Sequence, residues 1–234
     1  MRLIRPAAVL LLLCGDVQAD PWPAPDAVLM AAPVVTNTGK FKPIRVAVDP
    51  GHGAPGTTGN KDVRCRDEAD HMLRVADALV ARLAKDPRFV VTSLREGTAR
   101  PRYQARVKAA KAFNAEVILS LHSDARGAAD WWFPEAEGPA CLRNDAEPGI
   151  GVLLSDEGSK ALVTRRLSLA RALAARFAEA RFPLYDGVDW TGLYRFDDSR
   201  GVYYDARPKK QRVYMLRQQT VPALIIETHH ALHL

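Results

Sequence analysis

The stretch Arg45-Val46-Ala47-Val48-Asp49-Pro50-Gly51-His52 decides the fold of this chain. Its apolar, β-branched residues stop abruptly at a glycine-containing turn that carries a histidine. Two later stretches have the same design, Val117-Ile118-Leu119-Ser120-Leu121-His122 and Ala223-Leu224-Ile225-Ile226-Glu227. Short apolar runs of this kind are typical of strands that are buried on both faces of a parallel or mixed sheet.

The three runs end in two imidazoles and one carboxylate, His52, His122 and Glu227. In open α/β sheets, ligands bind in the crevice beyond the carboxyl ends of the strands. We therefore expect these residues to meet at one edge of the sheet. Nitrogen and oxygen donors in such a crevice indicate a metal-dependent hydrolase.

Helix-like and strand-like segments alternate along the rest of the chain. The helices predicted from apolar residues at helical spacing are 68–86, 101–114 and 160–181. The further predicted strands are 89–94, a weaker one at 149–154 and a short one at 214–216. This alternation predicts a single α/β domain with a mixed, mainly parallel sheet and helices on both faces.

The first 19 residues have the pattern of a secretory signal peptide. They combine a positive start, a short apolar core and small residues that end at Ala19. The apolar core is far shorter than the roughly 20 residues that span a bilayer. We expect cleavage after Ala19, export, and no stable membrane insertion. A proline-rich leader or linker at 20–43 then precedes one folded domain at 44–234.

The net charge and the cysteines agree with an exported protein. The charge of +6 suits anionic surfaces such as cell-wall polymers or lipid headgroups. The basic residues are dispersed and lack aromatic interleaving, so no nucleic-acid partner is expected. Cys65 and Cys141 remain after the signal peptide; they could form a disulfide or be two unrelated thiols. Because Cys65 lies shortly before Glu68, a bridge would restrain the loop that carries this residue.

Three segments resemble the motifs of one enzyme family, the zinc-dependent N-acetylmuramoyl-L-alanine amidases of type 3. They are Val48-Asp49-Pro50-Gly51-His52-Gly53, Ser120-Leu121-His122-Ser123-Asp124-Ala125 and Pro222-Ala223-Leu224-Ile225-Ile226-Glu227, with Glu68 at the start of a helix. The resemblance covers roughly residues 44–230. Members of this family cleave the amide between the lactyl group of N-acetylmuramic acid and L-alanine in peptidoglycan.

The resemblance implies a role for each motif residue. His52, Glu68 and His122 would bind one Zn²⁺ per chain, and Glu227 would be the catalytic glutamate. Three protein ligands leave a fourth position for water, which distinguishes a catalytic zinc site from a structural one. A carboxylate near the metal can take the water proton and pass it to the leaving amine.

The implied function is peptidoglycan hydrolysis in cell-wall remodelling or cell separation. The resemblance places the enzyme in the periplasmic or extracellular cell-wall compartment, with peptidoglycan as its partner. We expect a monomer, and the sequence leaves open whether an activator protein is required.

The site residues also have structural alternatives. Both histidines could be needed only for a turn or a buried hydrogen bond. Glu68 could merely complement the positive end of its helix dipole, in which case Asp67 or Asp70 would replace it as ligand. Glu227 could form an ion pair with Arg217 instead of acting in catalysis.

Other functions use the same residues. A zinc peptidase could cut within the stem peptide, or a catalytically silent module could bind the wall. A closed structural zinc site would need a fourth ligand, either Cys65 or His71, although His71 is expected to be an ordinary solvent-exposed or core residue. The histidine-rich end is expected to form a strand-to-helix turn or to bind adventitious metal; it comprises His229, His230 and His233.

Two segments are candidate walls of the cleft. An inserted loop around 124–149 contains Trp131-Trp132-Phe133. Long loops at this sheet edge are often functional. The loop could contact substrate, cover the metal site or only anchor itself to the core. The second segment, 184–211, contributes the aromatic residues Tyr185, Trp190, Tyr194, Tyr203 and Tyr204.

Overall fold

The computed structural model of the protein describes residues 42–146 and 148–233. The predicted signal peptide and nearly all of the 20–43 leader lie outside these described residues. Within the described part of the chain, no helix combines the length and the apolar character that crossing a membrane requires.

Nine strands and four α-helices follow one another in these described residues. The strands are β1 (Ile44–Pro50), β2 (Phe89–Ser93), β3 (Val117–Asp124), β4 (Asp130–Trp132), β5 (Cys141–Arg143), β6 (Gly151–Leu154), β7 (Tyr194–Phe196), β8 (Val202–Asp205) and β9 (Ala223–His230). The helices are α1 (Glu68–Leu83), α2 (Tyr103–Ala112), α3 (Lys160–Glu179) and α4 (Tyr214–Arg217).

Seven of the strands form one sheet in the order β2-β1-β3-β9-β6-β8-β7. Strands β2, β1, β3 and β9 run parallel to one another, and β6 pairs antiparallel with β9. Strand β8 is parallel to β6, and β7 is antiparallel to β8. The predicted mixed, mainly parallel sheet is therefore confirmed. The three runs quoted first are its adjacent strands β1, β3 and β9.

Helices cover both faces of the sheet, as the alternation of helices and strands predicts. Neighbouring side chains of a strand point to opposite faces. Accordingly, α1 and α3 pack on the face of β9 that carries Leu224 and Ile226. Helices α2 and α4 contribute to the core on the opposite face, which carries Ala223. The central strands are thus buried on both sides, which explains their nearly continuous apolar sequence.

The prediction of a strand at 214–216 is wrong, because this segment is the short helix α4. The backbone amides of Leu216 and Arg217 both donate to the carbonyl of Val213 at 3.1 Å. Both edges of β9 are already paired, with β3 and β6, so a strand here could not join it. A short apolar run fits a buried helical turn equally well, and Met215 and Leu216 are buried.

Strand β9 is longer than its apolar run predicts. It continues through His229 to His230, and His230 pairs with Asp124 of β3 after an irregularity in the register. The prediction that these two histidines belong to a strand-to-helix turn is therefore wrong. Backbone pairing with β3 extends the strand beyond the point where the apolar pattern stops.

The inserted loop forms a small antiparallel hairpin of β4 and β5. A disulfide joins Cys65 to Cys141, which are 76 residues apart in sequence. The bridge ties the hairpin to the loop that leads into α1. Of the two states that the sequence left open for these cysteines, the structure contains the disulfide.

Candidate metal centre

His52 lies in the sharp turn that follows β1. Its backbone φ of 55° is in the left-handed region, which residues other than glycine seldom adopt. A Cβ added to Gly51 would lie 2.7 Å from the ring of His122, so only glycine lets the turn approach β3 this closely. The two imidazole centroids are 4.8 Å apart. Glycine at position 51 is therefore needed for the close approach of the two histidines.

Glu68 begins α1 and is buried, and both oxygens of its carboxylate have hydrogen-bond contacts. Its Oε1 accepts from the Ser123 amide at 3.0 Å and contacts His122 Nδ1 at 3.1 Å. Its Oε2 accepts from the Asn60 amide at 3.1 Å and contacts His52 Nε2 at 3.2 Å. Burial by itself would raise the pKa of Glu68, but the hydrogen bonds with His122 and His52 lower it to about 2. Glu68 is consequently ionised at neutral pH.

The structure brings the three predicted ligands together. One donor atom from each of His52, Glu68 and His122 lies within 4.8 Å of the others. Two ring nitrogens and one carboxylate oxygen form a donor set used by catalytic zinc sites. The donor chemistry and the convergence of these atoms therefore fit a divalent ion such as Zn²⁺.

The alternative ligands lie elsewhere. Asp67 pairs with Lys61 at 2.5 Å, and Asp70 is exposed. Cys65 is in the disulfide and has no thiolate to offer. The described metal-binding group does not include His71, whose ring contacts that of His229 with a centroid distance of 5.2 Å. Neither proposed fourth ligand for a closed structural site is therefore in the group.

Glu227 is the register partner of His122 on the neighbouring strand. Its side chain is buried, and its Oε2 has no hydrogen-bond partner in the described structure. Burial, followed by the charges of Asp124 and Glu68, raises the pKa of Glu227 well above its usual value. The ion-pair alternative is not seen among the described residues, because Arg217 donates to the carbonyl of Lys209 instead.

A layer of side chains beside Glu227 was not predicted as a unit. Asp124 Oδ2 accepts from Trp190 Nε1 at 2.5 Å and from Arg126 Nε at 3.2 Å. The Arg126 guanidinium lies 3.7 Å from the ring centre of Tyr185. The single sequence signal for this layer is the position of Asp124, two residues after His122.

The second candidate wall, 184–211, contributes mainly to the core. Of its six aromatic side chains, four are buried, Tyr194 is partly exposed and Phe196 is 50% exposed. Four of the five residues named for this candidate cleft wall pack in the core, because strand β8 and the turn before β7 direct their side chains inwards. The buried aromatic residues are Tyr185, Trp190, Tyr203 and Tyr204.

The aromatic residues of the inserted hairpin have different environments. Trp132 is anchored, since its Nε1 donates to the carbonyl of Val63 at 2.9 Å. Trp131 and Phe133 are 72% and 63% exposed. Anchoring therefore accounts for Trp132 but not for its two neighbours.

The histidines near the C-terminal end are separate from the candidate metal-binding group His52, Glu68 and His122. His230 is buried, with Nε2 3.0 Å from Asn144 Oδ1. Burial, followed by the charge of His71, lowers the pKa of His229 to about 4. In the described residues, neither histidine joins the group formed by His52, Glu68 and His122.

Comparisons with known proteins agree with this geometry. A family profile for N-acetylmuramoyl-L-alanine amidases matches residues 46–231. A Haemophilus influenzae protein called "Probable N-acetylmuramoyl-L-alanine amidase AmiB" is 26% identical over 210 residues, which are 80% of this chain and 45% of that protein. The chain thus spans less than half the length of this curated relative.

Solved amidase structures share the fold. The N-acetylmuramoyl-L-alanine amidase of Clostridium difficile 630 superposes with a TM-score of 0.56 at 21% identity, over 82% of each chain. The amidase Ami1 of Mycobacterium smegmatis gives a TM-score of 0.57 at 16% identity, over 81% of this chain and 83% of that chain. At these identities, the likeness establishes the α/β architecture.

Proposed function

The chain belongs to the N-acetylmuramoyl-L-alanine amidase family, and from this premise we propose that it hydrolyses the amide between N-acetylmuramic acid and L-alanine in peptidoglycan. The observation that supports the proposal is the arrangement of side chains at the carboxyl end of β3. A group of three donors, His52, Glu68 and His122, lies beside Glu227, a buried carboxylate with one unpartnered oxygen. This arrangement supports a metal-assisted hydrolysis with a separate protein base.

In this proposal His52, Glu68 and His122 hold one Zn²⁺. The bound ion supplies Lewis acidity, which polarises the scissile carbonyl and makes a water molecule acidic near pH 7. Glu68 stays anionic because four hydrogen-bond contacts stabilise its charge. Three protein ligands leave room for water and substrate, as a catalytic site requires.

Glu227 acts as general base and then as general acid. It accepts a proton from the attacking water and returns it to the nitrogen that leaves with L-alanine. Burial keeps its carboxylate poorly solvated, and its unpartnered Oε2 makes no hydrogen bond that would oppose protonation. No covalent acyl-enzyme is needed. Ser120 lies on the same face of β3 as His122, but its hydroxyl donates a hydrogen bond to Asp49, so it is not placed as a nucleophile.

The proposal includes export and a role in wall remodelling or cell separation. The pattern of residues 1–19 supports export, and the Cys65–Cys141 disulfide suits an oxidising compartment such as the periplasm or the cell exterior. Peptidoglycan would be the partner of a monomeric enzyme. An activator protein would not supply a metal ligand, because all three candidate ligands come from this chain.

Digestion of purified peptidoglycan tests the proposal. We expect the zinc-loaded protein to release stem peptides that begin with L-alanine, identified by mass spectrometry. Glu227→Gln should release these peptides at a rate lower by about 10²–10⁴. The matched control Glu179→Gln, at an exposed glutamate that pairs with Arg176, should behave like the unmutated protein. Cleavage within the peptide would favour the zinc peptidase. Bound zinc without any product would favour the wall-binding module.

A further inference from the structure

A buried arginine fixes the backbone of the His52 turn. Arg106, on α2, is fully buried. Its Nη1 donates to the carbonyl of Pro50 at 2.8 Å, and its Nη2 donates to the carbonyl of His52 at 2.5 Å. These contacts attach the turn to the helix on either side of Gly51, so they determine where the imidazole of His52 is presented.

Asp49 supplies the opposite charge. Its Oδ1 accepts from Arg106 Nη1 at 3.0 Å, and its Oδ2 accepts from the Ser120 hydroxyl at 2.6 Å. Asp49 is the last residue but one of β1, and Ser120 lies two residues before His122 on β3. Asp49 therefore connects Arg106 to the two strands that lead to the histidines of the metal-binding group, β1 directly and β3 through Ser120.

A second buried arginine joins the His52 turn to the start of α1, where Glu68 lies. Arg95 Nη2 donates to the carbonyl of Gly51 at 3.2 Å and to the carbonyl of Ala69 at 2.7 Å. Gly51 precedes His52, and Ala69 follows Glu68. A Cβ added to Gly53 would lie 2.7 Å from the Arg95 guanidinium carbon, so the turn closes tightly over this side chain.

Stability alone does not account for two arginines at this position. A buried ion pair is commonly neutral or unfavourable for folding relative to well-packed apolar residues. The turn also contains a non-glycine residue, His52, in the left-handed region, a strained conformation that persists only where surrounding contacts enforce it. The arginines make contacts of this enforcing kind at the residues that flank the metal-binding group.

We propose that Asp49, Arg95 and Arg106 are positioning residues that hold His52 and Glu68 in metal-binding geometry. This inference rests on the proposed metal site. The planar guanidinium groups serve this purpose because one rigid fork can donate to several fixed acceptors, which a lysine ammonium does not reproduce. The cradle formed by these three residues prepares the ligands before metal arrives.

Another buried arginine provides a matched control. Arg166, on α3, is 1% exposed and also donates to backbone carbonyls, those of Ser155 and Gln219 among them. Neither carbonyl belongs to a segment that carries a metal-binding residue. Substitution of Arg166 therefore removes a buried guanidinium of the same kind while leaving the cradle intact.

The test compares the zinc affinity of Arg106→Lys, Arg95→Lys and Arg166→Lys with that of the unmutated protein, by chelator competition on the apo proteins. Circular dichroism and the melting temperature of each apo protein report folding. We expect Arg106→Lys and Arg95→Lys to weaken zinc binding by about 10–100-fold, the range for residues that orient metal ligands. Arg166→Lys should lower the melting temperature but change zinc affinity less than twofold. Arg95→Lys decides the test if Arg106→Lys does not fold.

Three results would overturn the inference. If Arg106→Lys and Arg95→Lys fold and bind zinc with unchanged affinity, the proposed metal site is kept but the positioning role of the arginines is refuted. An equal loss of affinity in Arg166→Lys would trace the effect to general stability. Absence of zinc binding by the unmutated protein would overturn the inference and the proposed metal site together.

Discussion

Glu68 and Glu227 are both buried carboxylates near His122, and their surroundings are opposite in kind. Both oxygens of Glu68 have hydrogen-bond contacts, from two backbone amides and two imidazoles. Glu227 is just as sheltered from water, yet its Oε2 has no partner in the described structure. The pKa of Glu68 is lowered to about 2, whereas that of Glu227 is raised well above its usual value.

The difference shows how one sheet edge can assign two roles to one residue type. A carboxylate that is fixed and ionised suits a metal ligand. A carboxylate that is buried, unpartnered and close to other negative charge suits proton transfer. Hydrogen bonding separates the two roles, because burial and the neighbouring histidine are common to both residues.

Replacement of either glutamate by glutamine should produce the largest effects. We expect Glu227→Gln to keep one zinc ion per chain while kcat/KM on peptidoglycan falls by about 10²–10⁴, the usual contribution of a general acid or base. Glu68→Gln should lose zinc as well as activity, because the anionic oxygen ligand is gone. Metal analysis and kinetics on the same preparations check this. Loss of zinc from Glu227→Gln would contradict the division of roles.

Removal of the disulfide should affect the Glu68 side more than the Glu227 side. The bridge closes a span of 76 residues and ends shortly before Glu68, so its loss should lower the free energy of unfolding by up to about 4 kcal/mol. We expect the double variant Cys65→Ala/Cys141→Ala to unfold at lower urea concentration and to bind zinc more weakly. Unaltered zinc affinity despite lower stability would show that the bridge does not restrain Glu68.

The stability of the metal-free protein should depend on pH in opposite ways at the two sites. The folded-state pKa of Glu68 is lowered from 4.5 to about 2, so its contribution of about 3 kcal/mol is present above pH 4.5 and is lost as the pH falls towards 2. The folded-state pKa of Glu227 is raised, so ionisation of this residue destabilises the fold as the pH rises above 4.5. Burial is the first cause of this rise.

Urea titrations in the presence of a chelator measure these contributions. At pH 7, Glu68→Gln should be less stable than the unmutated protein and Glu227→Gln more stable. Near pH 3, the destabilisation by Glu68→Gln should be smaller than at pH 7, and the stabilisation by Glu227→Gln should have disappeared. Substitutions that changed stability by the same amount at both pH values would refute the contrast.

Asp124 should produce the smallest effect. After burial, its charge is the main cause that raises the pKa of Glu227. Asp124→Asn should therefore shift the acidic limb of the pH profile of kcat/KM to lower pH by a fraction of a unit, because the base ionises more readily. The amide oxygen can still accept from Trp190 Nε1. Exposed Asp198 offers a control, Asp198→Asn, in which the limb should not move.

The strands and the convergence of His52, His122 and Glu227 were largely predictable from the sequence pattern, whereas Glu68 was named only through the resemblance to the amidase family. The runs before His52, His122 and Glu227 have a strong apolar pattern, and strand direction then brings their ends together. The boundaries of α1 and α3 also agree with the predicted helices to within three residues. Local pattern sufficed here because the buried strands and amphipathic helices follow the periodicity of the sequence.

Other features depend on contacts between distant parts of the chain. Arg95 and Arg106 stand among ordinary basic residues, and no local pattern distinguishes a buried arginine that binds carbonyls from a solvated one. The sequence predicts Trp190 and Tyr203 as residues of a cleft wall, but in the structure they pack together in the core beside β8. The helix at Tyr214–Arg217 was missed because the available edge of a sheet is a property of its topology.

Anomalous diffraction at the zinc edge from crystals of the zinc-loaded protein tests the division between the two carboxylates most directly. We expect one strong peak bonded to His52, Glu68 and His122, with the carboxylate of Glu227 nearby but outside bonding distance. A zinc ion coordinated by Glu227 in place of Glu68, or a principal site among His229, His230 and His233, would contradict the account.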